Sequence, residues 1–214
     1  MKNNIQYISV LLVILSIGCS TKKNTLVTRT YHNITSKYNI YFNGKESYKK
    51  GIKKMNAELK NDYTSLLPVF PFPTAENTAT ETSEMERTIK KSTKVIALHS
   101  ITAKPEFKHG IRTKRQKALY NKKQYNKWID DAYLLMGKAS LMKGDYMSAT
   151  GAFRYILKEF PNENTYDETQ IWLARTLIIN EEYSEADEIL VHQCENKKLS
   201  KKLMPFLHAT YADY

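Results

Sequence analysis

The stretch DDAYLLMGKASLMKGDYMSATGAFRYILKEFP, Asp130–Pro161, decides the fold. Its apolar residues recur at helical spacing in two runs, one on each side of Gly144-Asp145. Gly137 and Ala149 are small where two antiparallel helices would touch, Gly144 allows the turn between them, and Pro161 stops the second helix. The pattern returns 37 residues later in the same chain: Ala174 stands at the place of Gly137, Tyr183 at that of Tyr146 and Ala186 at that of Ala149. Glu181 replaces Gly144 and Leu190 replaces Phe153, so the second unit keeps the sizes but not the residue types. Ser200 is a suitable N-cap for a further helix carrying Leu203, Phe206, Leu207 and Tyr211.

Tyr133, Gly137, Gly144, Tyr146, Ala149, Phe153 and Pro161 together resemble a tetratricopeptide repeat, whose unit is a pair of antiparallel helices. The expected fold is therefore all-α: an N-terminal helical hairpin, then repeat-like helix pairs stacked as an α-solenoid. The units are 130–163 and 167–198, and a third begins at 200 and is left unfinished. Such arrays use about three units and a terminal cap to hide their last apolar face, so the chain reads as the front of a longer protein or as a truncated product. The resemblance also places the first helix of each pair on a concave face. The matching positions are Leu134, Lys138, Leu141 and Met142, then Ile171, Arg175, Ile178 and Ile179. Lys138 and Arg175 fall at the same place in successive units. One reading makes them a solvent-facing row of cations, flanked by apolar surface, for a partner segment with acidic and apolar groups. The other places these aliphatic residues in the core.

The N-terminus carries a different signal. Ile8 to Ile17 is an almost unbroken apolar run, too short for the roughly 20 residues a spanning helix needs, and it ends in Ser16-Ile17-Gly18-Cys19. This is the form of a signal peptide over 1–18. A cysteine directly after a small residue resembles the lipobox of bacterial lipoproteins, although Ser16 stands where that motif usually has Leu. The resemblance implies lipid on Cys19, a tether over 19–27, and, with no acidic residue from Ser20 to Thr25, an outer-membrane anchor with the body facing the periplasm.

Between tether and repeats, 28–65 reads as a helical hairpin. Tyr31, Ile34, Tyr38 and Tyr41 share one face of its first helix, Asn43-Gly44 marks the turn, and Tyr48, Ile52, Met55 and Leu59 line the second. The stretch 66–82 is a Pro-rich and polar loop. Prolines at 68, 71 and 73 exclude helix there, so the apolar Val69, Phe70 and Phe72 need cover from the helices or from a partner. A helix from about Ser83 to His99 and a basic stretch complete 83–128. Lys104–Lys127 holds nine Lys and Arg against Glu106 alone.

The net charge of +11 hides a division, with residues 1–128 at +16 and 129–214 at −5. In an exported chain the basic stretch meets no nucleic acid. Acidic headgroups, an acidic partner, or plain solvation opposite the acidic repeats all fit it. Cys194, the second of two cysteines, has no disulfide partner once Cys19 is lipidated. The five histidines are scattered, and His192 with Cys194 supplies only two ligands, so no metal, cofactor or catalytic constellation is expected. Asp130-Asp131 and Glu181-Glu182 read as solvated charges at helix starts.

Arg29-Thr30-Tyr31-His32-Asn33-Ile34-Thr35-Ser36-Lys37-Tyr38-Asn39-Ile40-Tyr41-Phe42-Asn43-Gly44, behind a lipobox and ahead of a basic region and repeats, is similar to the PorW/SprE lipoproteins. That resemblance implies a non-enzymatic outer-membrane scaffold of type IX secretion and gliding, working through contacts with other machinery proteins. A nutrient-uptake lipoprotein with repeat-like helices, binding glycan beside an outer-membrane transporter, is the alternative.

Overall fold

The computed structural model describes residues 21–59, 63–64, 67–70 and 75–214, with the side chains of 75–81 excepted. Residues 1–20, on which the expected signal peptide and Cys19 fall, lie outside the described residues. Among those described there is no strand. The elements are α1 (Leu26–Thr35), a π-helical turn (Ser36–Tyr41), α2 (Phe42–Glu58), α3 (Ala75–His99), α4 (Lys114–Asn121), α5 (Ile129–Met142), α6 (Tyr146–Glu159), α7 (Tyr166–Ile179), α8 (Tyr183–Glu195) and α9 (Met204–Asp213). No helix of the described residues is long and apolar enough to cross a membrane.

The N-terminal helical hairpin is present, but its arms are not those expected. Asn43-Gly44 makes no turn. The chain runs from α1 through the π-helical turn into α2 without folding back, and the return arm is α3. The mistaken cue has a clear physical origin. Gly44, Ser47 and Gly51 are small because α3 passes close to them, not because the chain bends there. A Cβ on Gly44 would lie 3.1 Å from the Cβ of Lys91, and the Gly44 carbonyl accepts a hydrogen bond from Thr88 Oγ1 at 3.1 Å. Lys50 pairs with Glu84 at 2.6 Å and His32 meets His99 at 2.8 Å, which fixes the arms as antiparallel. The start of α3 corrects a second boundary: the expected loose segment through Thr82 is helical from Ala75 onward.

The helices then stack in chain order. α3 lies between α2 and α5, α5 pairs with α6, α6 meets α7, α7 pairs with α8, and α9 packs against α7 and α8. The hairpin of α2 and α3 thus acts as the first unit of the solenoid. One continuous core runs from Ile40 and Met55 through Leu141, Phe153 and Leu177 to Leu207. The two repeat hairpins fall where the sequence places them. Gly144 turns with φ +82°, and Glu181 takes the same left-handed role at φ 62°. Asp145 caps α6 by accepting the Ser148 N–H at 3.0 Å. Ser200 does not cap α9. The helix begins at Met204 with Pro205 in its first turn, and the Ser200 carbonyl accepts the Leu203 N–H.

Between α3 and α5 the basic stretch is anchored at several points. Tyr125 and Ile101 are buried, and Asn126 donates to Ser36 Oγ and to the His99 carbonyl. Lys122 and Lys123 reach Glu163 and Glu159 of the repeats at 3.2 and 2.8 Å. Two of the nine cations therefore offset the acidic half directly.

Candidate interaction surface

The first helix of each unit presents residues to a shared surface: Tyr48 from α2, Lys138 from α5, Trp172 and Arg175 from α7, Phe206 and Asp213 from α9. Leu67–Phe70 lies across its C-terminal part. The Val69 N–H donates to Asp213 Oδ1 at 2.6 Å and the Phe70 N–H approaches Oδ2 at 3.3 Å. The Phe70 ring meets Phe206 edge-on at 5.5 Å, and the Arg175 guanidinium lies over its face at 4.4 Å. Phe206 also packs on Trp172 at 4.9 Å. Burial holds the Arg175 guanidinium at about 10, below its usual value, while Asp213 opposes the shift. Burial likewise pushes the Tyr48 hydroxyl up. The carboxylate of Asp213 takes the amide donors of Val69 and Phe70 at a bend in the chain that has no ladder to join, which satisfies backbone groups that would otherwise lose water.

The predicted groove positions are redistributed by this packing. Leu134, Leu141, Met142, Ile171 and Ile178 are core residues and Ile179 is half-buried. Arg175 is 3% exposed rather than solvent-facing, and the Lys138 side chain is 16% exposed, paired with Glu168 and lying 5.1 Å over the Trp172 ring. The expected solvent-facing row of cations does not form. The reason is tertiary: the N-terminal hairpin packs against α5 and the Pro-rich segment covers α7, so the surface is occupied by the chain itself. Phe70 has the cover that the Pro-rich run calls for, while Val69 keeps an exposed side chain on a bonded backbone. Phe72 lies outside the described residues. Sequence reasoning missed Trp172, Phe206 and Asp213 as parts of this surface. The one available signal was that the Pro-rich segment needed a receptor.

Near the start of α5 the paired aspartates are not solvated. Asp130 is buried and accepts a hydrogen bond from Thr165 Oγ1 at 2.8 Å, and burial raises its carboxyl. Asp131 is pushed up to about 6 by burial and by the neighbouring Asp130 and Glu168 carboxylates. Asp130 thus links α5 to the start of α7, while the burial of Asp131 and its repulsion by Glu168 leave the first unit less stable as pH rises through about 6.

At the other end of the molecule, a cleft of about 630 Å³ opens between α1 and the segment 119–128. Arg29, Lys37, Lys127, Tyr38 and Trp128 are among its walls. Behind it the His32 and His99 rings meet through Nδ1 atoms at 2.8 Å, one donating and one accepting, and burial lowers both. His32 Nε2 is buried with no hydrogen-bond partner. A bare acceptor costs less there than an unsatisfied N–H, so His32 is best assigned as the Nδ1 donor. Among the described residues no group of three or more metal-ligating side chains converges, and Cys194 is exposed and free. The chain matches no protein-family model and no curated protein.

Proposed function

We propose that this chain is an outer-membrane lipoprotein, anchored through Cys19, that works as a protein–protein interaction scaffold in a secretion and gliding machinery of the type IX kind. The observation that carries the scaffold reading is the clasp of Leu67–Phe70 on the repeat surface. A helical array that holds a short non-helical segment through aromatic rings, a guanidinium and a carboxylate is suited to bind peptide-like segments. The basic tether side and the acidic repeat side give partners two surfaces of opposite charge. The secretion setting rests on the Tyr-His-Asn to Asn-Gly stretch behind the lipobox.

The test is affinity capture of the lipidated protein from solubilised outer membranes, followed by identification of its partners. Secretion and gliding components are the expected catch. Recovery of transporter subunits with bound glycan would replace this reading by the nutrient-uptake one. In parallel, Cys19→Ala should abolish lipid labelling and move the body to the soluble periplasmic fraction.

A further inference from the structure

Helix α1 is amphipathic the wrong way round. Its buried face is polar, carrying Thr28, His32 and, one residue beyond the helix, Ser36. The face turned away from the array is apolar and aromatic: Val27, Tyr31, Ile34, Tyr38 and Phe42 follow one another at intervals of four, three, four and four. Val27 is 67% exposed, Ile34 54%, Tyr38 66% and Phe42 53%. The π-helical turn at Ser36–Tyr41, with its wider i→i+5 step, keeps Phe42 in line with the rest. An ordinary surface helix hides such a stripe in the core. Here the core side is held instead by hydrogen bonds: Thr28 Oγ1 to the Lys23 carbonyl, His32 to His99, and Asn126 to Ser36. The stripe is left exposed, with Ile34 and Tyr38 at the wall of the cleft and Val27, Tyr31 and Phe42 beyond it.

Charge narrows what covers it. The first acidic residue of the whole sequence is Glu46, one turn beyond Phe42 and paired with Lys49 at 2.8 Å, so from Lys22 to Lys45 the stripe is accompanied only by Lys22, Lys23, Arg29, Lys37 and Lys45. Across the cleft stand Lys122 and Lys127, and the acidic groups there are engaged, Glu163 by Lys122 and Asp130 by Thr165. Tyr and Phe rings with flanking Lys and Arg, the nearby carboxylates being paired or hydrogen-bonded, match the interface of an anionic bilayer, where rings sit at headgroup depth and cations meet phosphate. Position narrows it further. Five residues lie between Cys19 and Thr25, the N-cap of α1, a reach of at most about 22 Å for an extended chain. Lipid on Cys19, as proposed above, would keep the start of α1 within that distance of the membrane surface.

We propose that the Val27–Phe42 stripe of α1 docks into the headgroup layer of an anionic membrane, so that the lipid anchor and the stripe together set how the repeat array stands on the bilayer. This rests on the lipoprotein reading above for the anchor, and on the exposed stripe for the docking. One lipid-held point leaves a body free to swivel, whereas a second contact along a helix fixes its orientation.

The experiment uses the full lipidated protein in vesicles of phosphatidylglycerol and phosphatidylethanolamine. An environment-sensitive dye is placed at Ile34→Cys or Tyr38→Cys in a Cys194→Ser background, with Met147→Cys, 89% exposed on α6, as the reference. A quencher attached near the lipid headgroup should quench the dyes at 34 and 38 at least threefold more than at 147, and iodide in the water should do the reverse. Equal response at all three positions overturns the docking. Protection of 34 and 38 from both quenchers also overturns it, and assigns the stripe to a protein partner or a second copy. The mass of the N-terminal peptide reports acylation separately. An unmodified Cys19 refutes the anchor alone, and the same quenching comparison, with protein added to the vesicles from outside, still decides the stripe.

Discussion

Gly137→Ala tests the packing of the first repeat. The Cβ it adds would lie 2.5, 2.9 and 2.9 Å from three ring atoms of Phe153, where carbon atoms normally sit about 3.5–4.0 Å apart. Phe153 is fully buried and its ring is rigid, so either it retreats by about 1 Å into α5 and α6 neighbours or the two helices separate. Overpacking of this kind costs about 1–3 kcal/mol, against which helix propensity returns about 1 kcal/mol for Gly→Ala. The net expectation is a loss of up to roughly 2 kcal/mol, a fall of up to about 1 M in urea midpoint if the slope is near 2 kcal/mol per M. The second repeat shows how the same chain accommodates the methyl group. Ala174 faces a unit in which Leu190 replaces the phenylalanine, and both are fully buried. Phe153→Leu should therefore rescue Gly137→Ala, with a coupling of about 1 kcal/mol or more between them. Urea unfolding followed by circular dichroism on the four proteins of the cycle measures it. A Gly137→Ala variant stabilised by its propensity alone, or strictly additive effects, would refute the close contact.

Other consequences follow from the same structure. Arg175→Glu buries a carboxylate against Phe70 and beside Asp213, so it should destabilise the fold by about 3 kcal/mol or more rather than leave it intact; thermal melts check this. Glu181→Gly relieves a left-handed residue at φ 62° and should raise stability by about 0.5–1 kcal/mol, while leaving partner capture unchanged. The buried histidines bind protons more weakly when folded, so their contribution is full above the unfolded value of 6.5 and is lost as pH falls through the depressed folded values. The slope is at most about 1.4 kcal/mol per pH unit for each ring. Asp131, raised to about 6, works in the opposite sense, gaining stability as pH falls from 6 towards 4. Subtracting the stability curve of His99→Gln from that of the wild type isolates the histidine part, which should decline between pH 7 and 5.

The repeat hairpins were legible because their signals are local. Gly137, Gly144, Ala149 and Ala186 act through contacts within a hairpin, and a 37-residue recurrence exposes them whatever the rest of the chain does. The Pro-rich run was legible in part: proline geometry forbids helix and leaves Phe70 in want of cover, but nothing local says that Phe206, Arg175 and Asp213 supply it. Asn43-Gly44 misled because a glycine tolerated in a turn and a glycine demanded by a crossing helix look alike until Lys91 is placed beside it. The cation row failed for a similar reason. Lys138 and Arg175 do occupy equivalent places, yet whether such a place faces water depends on what packs over it: Glu168 and Trp172 of the next unit at Lys138, and Phe70, 105 residues earlier, at Arg175. Tyr31, Ile34 and Tyr38 share a face by spacing alone, since 3.6 residues per turn is a property of the backbone. Which way that face points is a property of everything else: His99 and Asn126 hold the polar side of α1 inward, and the aromatic side is turned out.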